Sequence, residues 1–132
     1  MIRGICGSTA AGTCRLERLV KAFWNSCAGI GVAYRSEAAI RQEIFVLFMA
    51  LPLVFVLAPG VWQGVAMIGS VLLVLAVELL NTCAEKLCDH VTPDRHPQIK
   101  AVKDMGSAAV LCSMCIAALV WLAGIAERIG LF

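Results

Sequence analysis

Three long apolar runs limit what this chain can fold into more than any other feature. Residues 44–58, 61–77 and 105–126 form runs of fifteen, seventeen and twenty-two residues without a charge. A helix needs about 20 apolar residues to cross a hydrocarbon core of about 30 Å. The whole chain is 61% hydrophobic and 15% charged, whereas soluble domains are about 25% charged. The sequence therefore predicts an all-α membrane protein with three transmembrane helices, at about 40–58, 61–88 and 104–127.

The connection between the first two runs is predicted to be a short hairpin. Pro59 and Gly60 form a helix-breaking pair between them. At 1.5 Å per residue the first run covers only about 22 Å, so this span must gain length from neighbouring residues. The apolar run alone therefore does not define the residue at which the first span begins.

The N-terminal third of the chain has a different pattern. Residues 1–14 are small and polar, lack the apolar run of about 7–15 residues that a cleavable signal needs, and are predicted to form a flexible tail. Residues 15–35 place apolar side chains three and four apart, with cations on the opposite face. This pattern predicts an amphipathic surface helix at the membrane, or else a similar helix packed on a neighbour. Gly29 and Gly31 are candidate helix breakers. Residues 15–132 are predicted to form a single domain.

Cations predict the orientation of the spans, because cytoplasmic loops carry an excess of Lys and Arg. The Pro59–Gly60 turn has none, whereas the N-terminal segment and the second loop have several. We therefore expect the N-terminus and the second loop to be cytoplasmic and the C-terminus to lie outside. The cations are Arg3, Arg15, Arg18, Lys21, Arg35 and Arg41 in the first group, and Lys86, Arg95, Lys100 and Lys103 in the second.

Charge and cysteine content exclude two other classes of protein. A net charge of +2 without a Lys/Arg run argues against nucleic acid as a partner. The seven cysteines are odd in number and scattered, which predicts no disulfide framework. Cys112 and Cys115 lie inside an uncharged helix, where packing is the favoured interpretation.

A polar stripe continues the second apolar run. Glu78, Asn81, Glu85 and Asp89 fall on one face of a helix. Sixteen residues separate Trp62 from Glu78, about 24 Å of helix, which places Glu78 near the cytoplasmic boundary. The starts of spans one and three reach the same depth, so three helices deliver polar groups to one layer. These groups are Glu37, Gln42, Glu43, Glu78, Asn81, Glu85, Lys103 and Asp104.

This inventory suits phosphoryl transfer from a nucleotide to a lipid alcohol. Mg²⁺ takes oxygen ligands, usually one or two carboxylates plus water and phosphate, and a further carboxylate can serve as general base. The alternatives are helix-end solvation, a small ion-coupled transporter or a non-catalytic membrane subunit. A transporter site near midplane is disfavoured, because spans one and three have no charge at their centres.

Three sequence blocks resemble the small bacterial integral-membrane diacylglycerol kinases, which share their fold with undecaprenol kinase. The blocks are residues 37–43 (EAAIRQE), 77–85 (VELLNTCAE) and 101–110 (AVKDMGSAAV). The resemblance covers most of residues 16–128. The run from Met105 to Ala109 favours diacylglycerol as the acceptor, with undecaprenol as the alternative.

The resemblance implies an ATP-dependent kinase that converts diacylglycerol to phosphatidic acid with Mg²⁺ as cofactor. It also implies a homotrimer in the bacterial inner membrane, with active sites between protomers at the cytoplasmic face. Glu78 would be the general base, and Glu37 and Glu85 would hold Mg²⁺. The implied nucleotide-binding residues are Arg18, Glu37, Asn81, Glu85, Asp94, His96, Lys103 and Asp104. The implied lipid-binding residues are Ala38, Ala39, Arg41, Gln42, Glu43, Glu78 and Ser107.

Overall fold

The computed structural model describes the backbone of residues 8–92 and 96–131. Side chains are described for residues 16–92 and 96–131. Within these ranges the chain is helical and has no strand, which confirms the predicted all-α fold. The chain divides into two compact units, one up to Arg35 and one from Ser36 onward. The helices are α1 (Ser8–Ser36), α2 (Ala38–Leu57), α3 (Val61–Val91) and α4 (Pro97–Arg128).

The first unit consists of α1. Its backbone is helical from Ser8, inside the segment that the sequence predicted as a tail. The helix also continues through Gly29 and Gly31, because a single glycine in a helix costs only about 1 kcal/mol. Large apolar side chains such as Phe23 and Trp24 lie exposed on this helix. The surface location of α1 at a membrane stays a prediction.

Helices α2, α3 and α4 form the second unit, and each is long and apolar enough to cross a membrane. Helix α3 contacts both neighbours, whereas α2 and α4 touch each other only slightly. Most buried residues accordingly lie on α3, among them Met67, Val71 and Val74. Many large apolar side chains of the three helices remain exposed, such as Phe55 and Leu119. Such a surface suits contact with lipid or with another membrane helix.

At one end of this unit a short connection joins α2 to α3. Helix α2 ends at Leu57 and α3 begins at Val61, so the hairpin predicted from Pro59 and Gly60 is present. The helices approach closely here, because a Cβ on Gly64 would lie 3.1 Å from Val54 Cγ1. We call this end, with residues 56–64 and 127–128, the hairpin end.

Two hydrogen bonds bring the last turn of α4 to the hairpin end. The Gln63 amide donates to the Glu127 carboxylate at 3.2 Å, and Arg128 Nε donates to the Val56 carbonyl at 3.3 Å. Nearer the middle, Trp121 Nε1 donates to the Met67 carbonyl at 3.1 Å. These bonds fix how far α4 is displaced along α3.

At the other end, α3 and α4 continue beyond the predicted spans. Helix α3 extends to Val91, and α4 begins at Pro97 with His96 as its N-cap. Proline is favoured in the first turn of a helix, because its missing N–H would have no intrahelical partner there. We call this end, with residues 36–43, 78–92 and 96–107, the loop end.

Candidate functional site

The polar stripe of α3 lies at the loop end and carries three half-buried side chains. Glu78, Asn81 and Glu85 follow one another on successive turns of the helix. Asn81 Nδ2 donates a hydrogen bond to Glu85 Oε1 at 3.1 Å. The other end of the amide, Oδ1, is buried and has no hydrogen-bond partner in the described part of the chain. A buried acceptor without a partner is costly, so this atom is one of the unfavourable features of the site.

Gly106 of α4 makes room for this amide. A Cβ added to Gly106 would overlap Asn81 Oδ1, so a larger residue at 106 would displace either the amide or the helix. Gly106 belongs to the third sequence block, residues 101–110, but it was not among the predicted site residues. The available signal was a glycine inside a helix, one residue before a predicted site residue.

Glu43 of α2 brings a second carboxylate to Glu78. It is half-buried, and its Oε2 is buried without a partner among the described residues. The carboxylates of Glu43 and Glu78 interact electrostatically although they belong to different helices. The structure therefore brings these two predicted site residues of α2 and α3 together.

Glu37 joins the cluster from the N-cap position of α2. Its side chain makes no capping hydrogen bond, and its Oε1 instead lies 2.7 Å from Lys86 Nζ on α3. This hydrogen bond, with a smaller one from Ser36, holds the pKa of Glu37 below its ordinary value of 4.5. Glu78 interacts electrostatically with both Glu85 and Glu37. Four carboxylates from two helices thus share one neighbourhood.

Lys86 was not among the predicted site residues. A partial signal existed in the sequence, because Lys86 directly follows Glu85 and lies about 80° around the helix from Glu78. Its partner could not be identified from spacing, since the contact joins α3 to the residue that precedes α2.

Helix α4 contributes Lys103. Its Nζ lies 2.6 Å from Asp89 Oδ1, and it also interacts electrostatically with Glu85. The neighbouring Asp104 is exposed and forms an ion pair with Lys100, one turn earlier on its own helix. Lys103 therefore belongs to the cluster, whereas the contacts of Asp104 lie on α4.

Other residues implied by the resemblance lie on α2 and α4, and one of them, Arg41, interacts electrostatically with Glu37. Ala38, Arg41 and Gln42 are exposed at the start of α2 and line a cleft of about 450 Å³ together with Phe45 and Val46. Ala39 is half-buried and Ser107 is exposed. The exposed His96 accepts a hydrogen bond at Nδ1 from the Gln98 N–H at 3.3 Å. Arg18 lies on α1, in the other compact unit, and Asp94 lies outside the described residues.

The donor set fits a magnesium ion only in company with other ligands. No group of three or more His, Cys, Asp or Glu side chains in the described ranges is arranged to hold a metal. Mg²⁺, however, is usually bound by one or two carboxylates together with water and substrate phosphates. Glu37 and Glu85 are the two carboxylates that the resemblance implies for this role, and both act electrostatically on Glu78.

Comparison with known proteins assigns the chain to a family. The sequence model described as prokaryotic diacylglycerol kinase matches residues 24–125. The chain belongs to the prokaryotic diacylglycerol kinase family. It is 38% identical over 109 residues to the diacylglycerol kinase of Haemophilus influenzae, which covers 83% of this chain and 92% of the relative.

Two further diacylglycerol kinases support this membership. The Pseudomonas aeruginosa protein is 38% identical over 110 residues, covering 83% of this chain and 89% of its own length. The Escherichia coli protein is 36% identical over 112 residues, covering 85% of this chain and 92% of its own length. Membership of this kinase family confirms the predicted family and enzyme class. It favours a lipid kinase over the transporter and the non-catalytic subunit.

Proposed function

We propose that this diacylglycerol kinase transfers a phosphoryl group from ATP to diacylglycerol at the loop end, giving phosphatidic acid. The observation that carries this proposal is the carboxylate cluster of Glu37, Glu43, Glu78 and Glu85 beside the unpartnered Asn81 Oδ1. The cluster lies at the ends of apolar helices, where a lipid headgroup and a water-soluble nucleotide can meet. Phosphoryl transfer requires mainly positioning and charge stabilisation, which these residues can supply.

Glu78 is the proposed general base. It is half-buried and lies directly after the apolar part of α3, so it is the acid of the stripe nearest the lipid. A base in this position accepts the proton of the lipid hydroxyl as the oxygen attacks the terminal phosphate. The proposed lipid-side residues are Ala38, Ala39, Arg41, Gln42, Glu43 and Ser107.

The nucleotide is proposed to bind on the side of the cluster away from the apolar helices. Lys103 carries a positive charge suited to phosphate oxygens, and Asn81, which donates to Glu85 at 3.1 Å, is a further residue proposed to position the nucleotide. Glu37 and Glu85 would hold Mg²⁺, which would neutralise negative charge on the phosphate oxygens. The further proposed nucleotide contacts are Arg18, Asp94, His96 and Asp104.

The membrane arrangement is part of the same proposal. We place the loop end on the cytoplasmic side of the bacterial inner membrane, where ATP is available and where the excess of cations indicates the inner face. The C-terminus then lies outside. We further propose a homotrimer, and the exposed apolar surface of the three spans supports contact between protomers.

The test is phosphorylation of diacylglycerol by the purified protein in detergent micelles with labelled ATP and Mg²⁺. Undecaprenol is supplied in a parallel reaction as the competing acceptor. We expect labelled phosphatidic acid, with diacylglycerol used at least about tenfold more efficiently. Preferential labelling of undecaprenol would replace the proposed acceptor, and failure to label either lipid would reject the function.

A further inference from the structure

Lys86 is a charged residue in the cluster to which the proposed function gives no role. Its Nζ lies 2.7 Å from Glu37 Oε1, and the two side chains are 50% and 32% exposed. The contact joins α3 to the residue that precedes α2. It is therefore a direct link between the two helices that carry the clustered carboxylates.

The position of the Glu37 carboxylate depends on this contact. Glu37 is the N-cap residue of α2, and an N-cap side chain commonly accepts a hydrogen bond from the first turn of its own helix. Glu37 makes no such bond. Its carboxylate is directed to Lys86 instead, which turns it from α2 toward α3 and toward Glu78.

Acidic and basic side chains of several helices surround the contact between Lys86 and Glu37. The cluster holds the carboxylates of Glu37, Glu43, Glu78 and Glu85. Lys103, which also lies nearby, is engaged with Asp89 at 2.6 Å. Arg41 also acts electrostatically on Glu37, but Lys86 is the cation in direct contact with it, so the Lys86 ammonium occupies the Glu37 carboxylate when no metal is bound.

We propose that Lys86 is a positioning residue that occupies Glu37 in the nucleotide-free enzyme and competes with a bare divalent cation for it. The inference rests on the proposed function, in which Glu37 holds the metal. Glu37 accepts from the Lys86 ammonium at Oε1, 2.7 Å away, so a metal bound to the same carboxylate would lie close to a second positive charge and would be repelled by it. A metal that arrives with a nucleotide brings phosphate oxygens, which give the displaced ammonium a new partner. A bare metal brings none, so Lys86 favours the metal–nucleotide complex over the free ion.

The experiment measures metal binding without turnover. Mn²⁺ is titrated into the nucleotide-free protein in micelles, and unbound Mn²⁺ is followed by electron paramagnetic resonance. Mn²⁺ is the probe because it shares the preference of Mg²⁺ for oxygen ligands. Replacing Lys86 by methionine should tighten Mn²⁺ binding about two- to fivefold, the range that corresponds to an exposed ion pair.

Three further variants separate competition at Glu37 from a general change in charge. Lys86→Arg keeps the positive charge and should bind Mn²⁺ as the wild type does. Lys100→Met is the matched control, because it removes an exposed ion pair with Asp104 away from the cluster, and it should leave the affinity unchanged. The double variant Lys86→Met with Glu37→Gln should not show the tighter Mn²⁺ binding expected for Lys86→Met alone.

The proposal is overturned if Lys86→Met, checked with Lys86→Gln, binds Mn²⁺ no more tightly than the wild type. It is equally overturned if Lys100→Met tightens binding as much, or if the double variant keeps the gain. Helical content measured by circular dichroism identifies a variant that has not folded, and the other position-86 substitution then decides. Diacylglycerol phosphorylation by the wild type is measured separately, so a failed lipid kinase assay and an unchanged Mn²⁺ affinity remain distinct results.

Discussion

The hairpin end and the loop end of the same helices both carry polar side chains, but they differ in whether the polar atoms have hydrogen-bond partners. At the hairpin end, the Glu127 carboxylate accepts from Gln63 and the Arg128 guanidinium donates to the Val56 carbonyl. At the loop end, Glu43 Oε2 and Asn81 Oδ1 are buried without partners among the described residues. Carboxylates of different helices also interact electrostatically there, as Glu43 and Glu78 do.

This difference separates polar groups that join helices from polar groups that lack a partner among the described residues. Unpaired buried oxygens and neighbouring like charges cost stability, and a chain retains them where they serve a function. No unpartnered buried side-chain oxygen is found among the described residues of the hairpin end. Its two polar contacts each join a donor to an acceptor. Matched substitutions at the two ends therefore test whether the loop end is the catalytic one.

The largest expected effect comes from Glu78→Gln. This change removes the proton-accepting carboxylate but keeps the size of the side chain, and loss of a general base typically lowers the rate about 10²–10⁴-fold. Initial rates of diacylglycerol phosphorylation in micelles measure it. Glu127→Gln is the matched variant at the hairpin end, and it should retain nearly full activity, since glutamine can still accept from Gln63. Comparable losses in the two variants would remove the distinction between the ends.

The next effect in size comes from Gly106→Ala. The added methyl group would overlap Asn81 Oδ1, so the amide must move and its hydrogen bond to Glu85 at 3.1 Å must change. A displacement of about 1 Å in a positioning group can cost up to about 100-fold in rate. We expect a loss of about tenfold or more in kcat.

Gly64→Ala provides the comparison at the hairpin end, because its methyl group would lie 3.1 Å from Val54 Cγ1. This variant should lower the thermal stability in micelles, followed by circular dichroism, while kcat changes less than about twofold. Normal kcat in Gly106→Ala would show that Asn81 need not hold its present position.

The sequence predicted the fold from signals that act locally. Three uncharged apolar runs identified the three candidate spans, and Pro59 with Gly60 identified the turn between the first two. Helical periodicity also placed Glu78, Asn81 and Glu85 on one face, as the structure has them. These features depend on residues close together in the chain, so spacing alone was sufficient.

The contacts that complete the cluster join distant parts of the chain and could not be read from spacing. The ion pair of Lys86 with Glu37 depends on how α3 and α2 are displaced along each other. The approach of Gly106 to Asn81 depends on the distance between α3 and α4. Asp104 illustrates the same limit, because it was grouped with Lys103 by sequence but pairs with Lys100 on its own helix.

The smallest expected effect comes from Arg128→Met. The variant loses the hydrogen bond from Nε to the Val56 carbonyl at 3.3 Å while keeping an unbranched side chain for the apolar contacts. Because the residue is exposed, we expect a loss of only about 0.5–1 kcal/mol in the free energy of unfolding, with kinase activity retained. Unfolding of the micelle-bound protein by denaturing detergent, followed by circular dichroism, measures the change. A large fall in activity at unchanged stability would mean that the hairpin end communicates with the site, and the division between a joining end and a catalytic end would then be wrong.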